Sequence, residues 1–262
     1  MQPDKDVMLI SMWQSIDVMS IAIADILQDN NPSIFLYGSI VDDDFKLGWS
    51  DIDILCLTEK AIQAEKAEKL VELRQSLMLK HPQNPYFRLF EGGMLTLDAF
   101  INNTADMVVY WGTSGQRITD NYALCPFGKM VLLENGKLLY GSDCRSLISY
   151  PIKSEVVDAI NAHYKTIRQH GKRGAGWLMD IARCLYTLET NKVISKTKAA
   201  EWVIAEKLCP NADVMKKAVE FRKNPLEFQD CEKTKQWQAS LEPQIQEFAD
   251  VLEKELQKFC LK

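Results

Sequence analysis

Apolar residues recur at three- and four-residue spacings through Leu9, Met12, Ile16, Met19, Ile23 and Ile26. That is one face of an amphipathic helix, predicted over roughly residues 7–28 and ended by Asn30-Asn31-Pro32. The apolar run Ile34 to Tyr37, closed by Gly38-Ser39, predicts a strand, and Asp51 to Leu57 a second. Residues 61–80, rich in Ala, Glu, Lys and Leu, predict a helix that His81-Pro82 stops. Tyr86 to Glu91 and Met94 to Ile101 flank Gly92-Gly93 and predict two strands joined by a tight turn. This places Asp98 within the apolar run LTLDAFI, where a charge is costly unless paired or bound to metal. Residues 103–125, with Tyr110-Trp111, predict a short helix and loop. Lys129 to Tyr140 carries Glu134-Asn135-Gly136 between apolar runs, which favours a hairpin, with a helix as the alternative.

Past about residue 150 the period changes and β-branched runs vanish. Leu178, Ile181, Leu185 and Leu188 mark one helix. Ser195 is an N-cap candidate for another, with Ala200, Val203, Ile204 and Leu208 inside it and Pro210 after it. Leu241, Ile245, Phe248, Leu252, Leu256 and Phe259 mark a last long helix. The expected class is α+β: a domain over residues 1–150 with a mixed sheet flanked by helices, then an all-α helical bundle over residues 151–262.

Composition narrows the function classes. The 262 residues are 47% hydrophobic and 26% charged, ordinary for a soluble globular protein. A formal charge of -5 argues against a nucleic-acid partner and suits a cationic small substrate. The seven cysteines are scattered with no C-x-x-C pair, which reads as reduced cytoplasmic thiols. Cys56, in an apolar strand, reads as packing. The three histidines lack metal-ligand spacing. No secretory signal or membrane-spanning apolar run is expected.

The candidate chemistry lies in FLYGSIVDDDFKLGWSDIDILCL, Phe35 to Leu57. Gly38 lets a backbone approach a phosphate, and Ser39 adds a hydroxyl and an amide donor. Asp51 and Asp53, behind Ser50, leave the same face of a strand. Paired carboxylates repel each other and call for a divalent cation. A phosphate cradle beside a metal-binding pair is the equipment of phosphoryl or nucleotidyl transfer. If the Asp98 strand pairs beside the Asp51 strand, the three acids form a triad.

G-S-x(11)-D-x-D followed by a later strand carboxylate resembles the nucleotidyltransferase fold of the DNA polymerase β type. Within it the chain is most similar to the streptomycin and spectinomycin adenylyltransferases. The second half adds Ala182 to Tyr186, Thr190 to Lys196 and Ala199-Ala200-Glu201-Trp202, similar to that group's helical domain. The resemblance implies ATP and Mg²⁺ as cofactors and an aminoglycoside-like hydroxyl acceptor, with ATP held between the two halves and pyrophosphate released. Gly38, Ser39 and Ser50 would hold the phosphates. Asp51 and Asp53 would bind metal. Asp98 would be the third carboxylate, a metal ligand that also takes the acceptor's proton. Arg183 and Lys196 would reach the triphosphate. Trp111 resembles in position a tryptophan that stacks on the drug, and Asp180, on a polar helix stripe, could help grip the acceptor.

Two departures from the family stand out. Its third carboxylate is usually Glu in the antibiotic enzymes, whereas Asp98 is shorter. The loop that carries drug-gripping acids in the family is here Gly171-Lys172-Arg173-Gly174-Ala175-Gly176, basic and glycine-rich. The alternatives are a nucleotidyltransferase acting on a protein or RNA acceptor, or a nucleotide-binding protein without turnover. Oligomeric state is left open.

Overall fold

The structure is a computed structural model that describes residues 5–104, 107–112 and 115–260. Packing divides the chain into two compact units. One comprises Met1–Val41, Asp51–Leu124 and Val131–Ser149, the other Asp42–Ser50, Cys125–Met130 and Tyr150–Lys262.

The first unit opens with helix α1 (Lys5–Leu27), strand β1 (Pro32–Tyr37), a single turn of 3₁₀ helix (Gly38–Ile40) and strand β2 (Ile52–Thr58). Helix α2 (Ala64–Lys80), strand β3 (Phe90–Thr96) and the short helix α3 (Leu97–Asn102) follow. Strands β4 (Val108–Gly112) and β5 (Gly115–Thr119), helix α4 (Pro126–Asn135), whose residues up to Met130 belong to the second unit, and strand β6 (Lys137–Tyr140) complete the series. Among the described residues the strands form one six-stranded mixed sheet in the order β5-β4-β3-β2-β1-β6. Only β2 and β3 run parallel; their register pairs Asp53 with Glu91 and Thr58 with Thr96.

The two faces of the sheet differ. Ile34, Leu36, Ile52, Ile54, Phe90, Met94 and Trp111 point one way and are fully buried, together with Ile16, Met19 and Ile23 of α1 and Leu70 of α2. Phe35, Tyr37, Leu55, Leu57 and Leu95 point the other way and form a core with Ala99 and Phe100 of α3 and Leu132 of α4. On that second face the side chains turn polar toward the start of β2, where Asp53 and Glu91 are half-buried.

Three expectations are corrected here. Gly92-Gly93 is not a turn but lies inside β3. A Cβ on Gly92 would overlap the Ile54 carbonyl oxygen, and one on Gly93 would enter the Tyr122 ring. These glycines therefore serve close approach within a sheet. Residues 108–112 and 115–119 are the antiparallel pair β4 and β5 rather than a helix and loop. The favoured hairpin over 129–140 is absent: the alternative, a helix, holds over Pro126–Asn135, and after Gly136 the strand Lys137–Tyr140 pairs with β1.

The second unit contains helices α5 (Lys153–His170), α6 (Gly176–Thr190), α7 (Lys196–Ala205), α8 (Ala212–Lys223), α9 (Pro225–Phe228), α10 (Glu232–Ala239) and α11 (Glu242–Cys260). The predicted cap is present: Ser195 Oγ accepts from the Lys198 N–H. Helix α11 packs on α5 and α6, burying Ile245, Phe248 and Leu252 with Ile160, Ile167, Leu178 and Ile181. Loop 42–50 joins this unit through Asp44. Its carboxylate is 6% exposed and lies 2.8 Å from Arg222 Nη2. The Thr197 hydroxyl donates to the same carboxylate at 2.7 Å. No described helix is long and apolar enough to cross a membrane.

Candidate active site

Gly38 begins the turn after β1 with φ 75°, in the left-handed region that glycine enters without a Cβ penalty. A Cβ there would overlap Asp53 Oδ2, so glycine lets the turn lie directly on that carboxylate. The next residue, Ser39, has its Oγ buried with no hydrogen-bond partner among the described residues. A buried hydroxyl without a partner is costly, and an oxyanion beside it would satisfy it. Ser50 closes its own loop, its Oγ accepting from the Lys46 N–H at 3.1 Å.

Asp51 precedes β2 by one residue and Asp53 lies inside it, so both belong to the polar face. The third acid on that face is Glu91, the partner of Asp53 across the parallel ladder. The Tyr110 hydroxyl donates to Glu91 Oε1 at 2.9 Å. Burial raises the Tyr110 pKa, and the bond and charge of Glu91 add to that, with a further contribution from Asp51. Arg117 stacks over the Tyr110 ring at 4.6 Å. Arg74 of α2, 8% exposed, donates to the Phe90 carbonyl at 2.6 Å. Burial lowers its pKa, and the charges of Glu91 and Asp51 oppose that.

Asp98 does not join this group. It is exposed in the first turn of α3, where its Oδ1 accepts from Asn102 Nδ2 at 2.9 Å. It follows the end of β3 that is paired to Thr58, while Asp53 is paired near the other end. At ~3.3 Å per residue the strand separates the two acids by roughly 15–20 Å. Trp111 is displaced by the alternation of β4. It faces the side opposite Tyr110, is fully buried, and its indole N–H donates to the Leu70 carbonyl at 3.0 Å. That leaves no ring face for a ligand; of these two neighbours it is Tyr110 that lies on the face of the acids, where Tyr37 is also paired with Asp53.

Asp51, Asp53 and Glu91 offer hard oxygen donors, which suit Mg²⁺, and the unsatisfied Ser39 Oγ suits the phosphate that accompanies it. Among the described residues no three His, Cys, Asp or Glu side chains form a ready-made metal cage.

In the second unit, Asp180, Arg183 and Lys196 come together. Lys196 Nζ lies 2.9 Å and Arg183 Nη2 3.4 Å from Asp180 Oδ1. Burial works against ionisation of Asp180, but Lys196, Arg183 and His163 together hold its carboxyl below the ordinary range. His163 Nε2 stands 3.9 Å from Asp180 Oδ2, buried and without a hydrogen-bond partner among the described residues. Burial lowers the His163 pKa, with Asp180 opposing.

Glu91 and Tyr110 are not among the site residues that the sequence singles out. The usable signal was phase: if residues 52–58 pair in parallel with 90–96, Asp53 and Glu91 share a face.

Residues 21–85 match the nucleotidyltransferase domain family, and residues 151–255 match the family described as aminoglycoside adenylyltransferase, C-terminal domain. No curated protein matches the chain in sequence. Among solved structures, the chain is similar to spectinomycin adenyltransferase AAD(9) from Enterococcus faecialis, determined with ATP and spectinomycin. The identity is 15% and the TM-score 0.70, covering 92% of this chain and 99% of that one. At that identity the likeness speaks for the fold. With a nucleotidyltransferase domain in front and the C-terminal domain of the aminoglycoside adenylyltransferases behind it, the chain is an aminoglycoside adenylyltransferase-like nucleotidyltransferase.

Proposed function

We propose that this protein transfers AMP from ATP to a hydroxyl of an aminoglycoside-type antibiotic and releases pyrophosphate. The observation that carries the reading is the placement of Glu91 beside Asp53, with Ser39 Oγ, unpartnered among the described residues, in the turn that touches Asp53. The acceptor class is supported by the C-terminal domain family and by the similar structure's title, which names ATP and spectinomycin.

Asp51 and Asp53 would hold Mg²⁺, which when bound neutralises charge on the triphosphate. Ser39 donates its hydroxyl to a phosphate oxygen. Glu91 takes the proton from the acceptor hydroxyl as that oxygen attacks the α-phosphorus. Tyr110 occupies Glu91 Oε1 and so fixes the carboxylate's orientation. Arg183 and Lys196 add positive charge for the phosphates, where transfer of this kind gains most from charge neutralisation and in-line positioning. The third acid is then a glutamate, and the length mismatch expected from Asp98 disappears.

The test is incubation of the purified protein with Mg²⁺ and α-labelled ATP, separately with spectinomycin, streptomycin, RNA and whole-cell protein. Labelled antibiotic with matching pyrophosphate is the expected result. Label on protein or RNA alone would replace the acceptor in this reading, an outcome the exposed Lys172 and Arg173 would suit.

A further inference from the structure

The acid that gathers Arg183 and Lys196 has no part in the transfer described above. It sits where an anionic ligand of those cations would sit. Asp180 Oδ1 is within 2.9 Å of Lys196 Nζ and 3.4 Å of Arg183 Nη2. One carboxylate thus serves two cations. Among the described residues neither Arg183 nor Lys196 pairs with any other acid. The group carries net positive charge, and that charge lies on its open side. The Arg183 and Lys196 side chains are 30% and 28% exposed, against 15% for Asp180. Arg183 also stacks over the Phe127 ring at 5.6 Å, which limits its freedom to turn away. His163 faces the other carboxylate oxygen, so Asp180 cannot leave without stranding three basic groups.

We propose that Asp180 is an internal counter-ion that sets nucleotide affinity: it stabilises the ATP-free helical unit by satisfying Arg183 and Lys196, and it competes with the triphosphate for them. The proposal rests on the reading that these two cations meet ATP. Its physical basis is that a half-buried cation deprived of its partner destabilises the fold, while a carboxylate next to a polyphosphate repels it. The same side chain therefore acts in opposite directions on stability and on ligand affinity. A residue needed only for folding would not do so.

The experiment compares wild type, Asp180→Asn, Asp180→Glu and Lys196→Met by calorimetric titration with Mg-ATP and with pyrophosphate, and by thermal unfolding without ligand. Asp180→Asn should bind both ligands about five-fold more tightly, the size of one unit charge at about 4 Å in water. Its ligand-free thermal midpoint should fall by several degrees. Asp180→Glu should stay near wild type in both, and Lys196→Met should bind ATP more weakly. Unchanged or weaker ATP binding by a folded Asp180→Asn overturns the counter-ion role. Wild-type-like ATP binding by Lys196→Met, or no ATP binding by wild type, instead overturns the underlying assignment of the cations. Should Asp180→Asn fail to fold, Asp180→Ser carries the same comparison; failure of both while Asp180→Glu folds would assign Asp180 to folding alone and end the proposal.

Discussion

Asp53 and Glu91 are partners in the parallel ladder between β2 and β3, side by side on the polar face of the sheet. They lie 38 residues apart in a chain of 262, and the intervening helix α2 is the crossover that parallel pairing requires. This pairing puts the Glu91 carboxylate on the same face as Asp53, since each strand fixes one carboxylate.

The two candidates for the third acid separate cleanly by mutation. Glu91→Gln should lower the rate of AMP transfer by about 10²–10⁴, the usual worth of a positioned acid or base. Asp98→Asn, which alters an exposed helix position, should leave it within about two-fold, as surface substitutions do. Pyrophosphate release with Mg-ATP and spectinomycin measures both. A dead Asp98→Asn beside an active Glu91→Gln would reverse the assignment.

Gly38→Ala should cost both stability and activity. Its φ of 75° is strained for alanine, by about 1–3 kcal/mol. The new methyl would also push on the Asp53 carboxylate. Urea unfolding and a transfer assay at saturating ATP test this, and a variant with wild-type values of both would show that the turn does not press on Asp53.

Asp44→Asn should destabilise by about 3–5 kcal/mol, because it leaves Arg222, whose side chain is 3% exposed, without its charge partner. The wild-type pair also predicts a pH dependence. Burial opposes ionisation of Asp44, but the Thr197 hydroxyl and Arg222 hold its carboxyl below the ordinary value. The folded state thus binds this proton less tightly than the unfolded chain. The stabilisation is complete above the ordinary carboxylate value of about 3.9 and is lost as pH falls below it through the folded value. The gap between the denaturation midpoints of wild type and Asp44→Asn should be constant near pH 6 and narrow as the pH falls below about 3.9.

Trp111→Phe should act on the fold and spare the site. Losing the indole bond to Leu70 and part of a packed ring should cost about 1–3 kcal/mol. KM for the antibiotic should stay within two-fold of wild type. A large rise in that KM with unchanged stability would return Trp111 to the acceptor site.

Some of this was legible in the chain before folding. Gly38-Ser39 and Asp51-Ile52-Asp53 are local signals: a turn that needs glycine, and two acids whose spacing alone places them on one strand face. The helix faces through Ile16, Met19 and Ile23 and through Ile245, Phe248 and Leu252 are equally local, because burial on one side imposes its period directly on the sequence. Gly92-Gly93 was not legible in this way. It looks like a turn by composition, and its strand role depends on Ile54 and Tyr122 lying against it. As a turn it would start a new strand at Met94 and single out Asp98; as part of β3 it sets Glu91 beside Asp53.

What the sequence determined by itself, then, is which residues can hold a phosphate and a cation, and which segments are amphipathic, because these follow from neighbours within a few positions. The tertiary structure alone decided which acid stands beside Asp53, which of Tyr110 and Trp111 meets it, and which acid lies between Arg183 and Lys196. Each of those outcomes depends on strand register or helix packing between distant segments. In a sheet, a register shift of one residue sends a side chain to the opposite face, so no local pattern can set it.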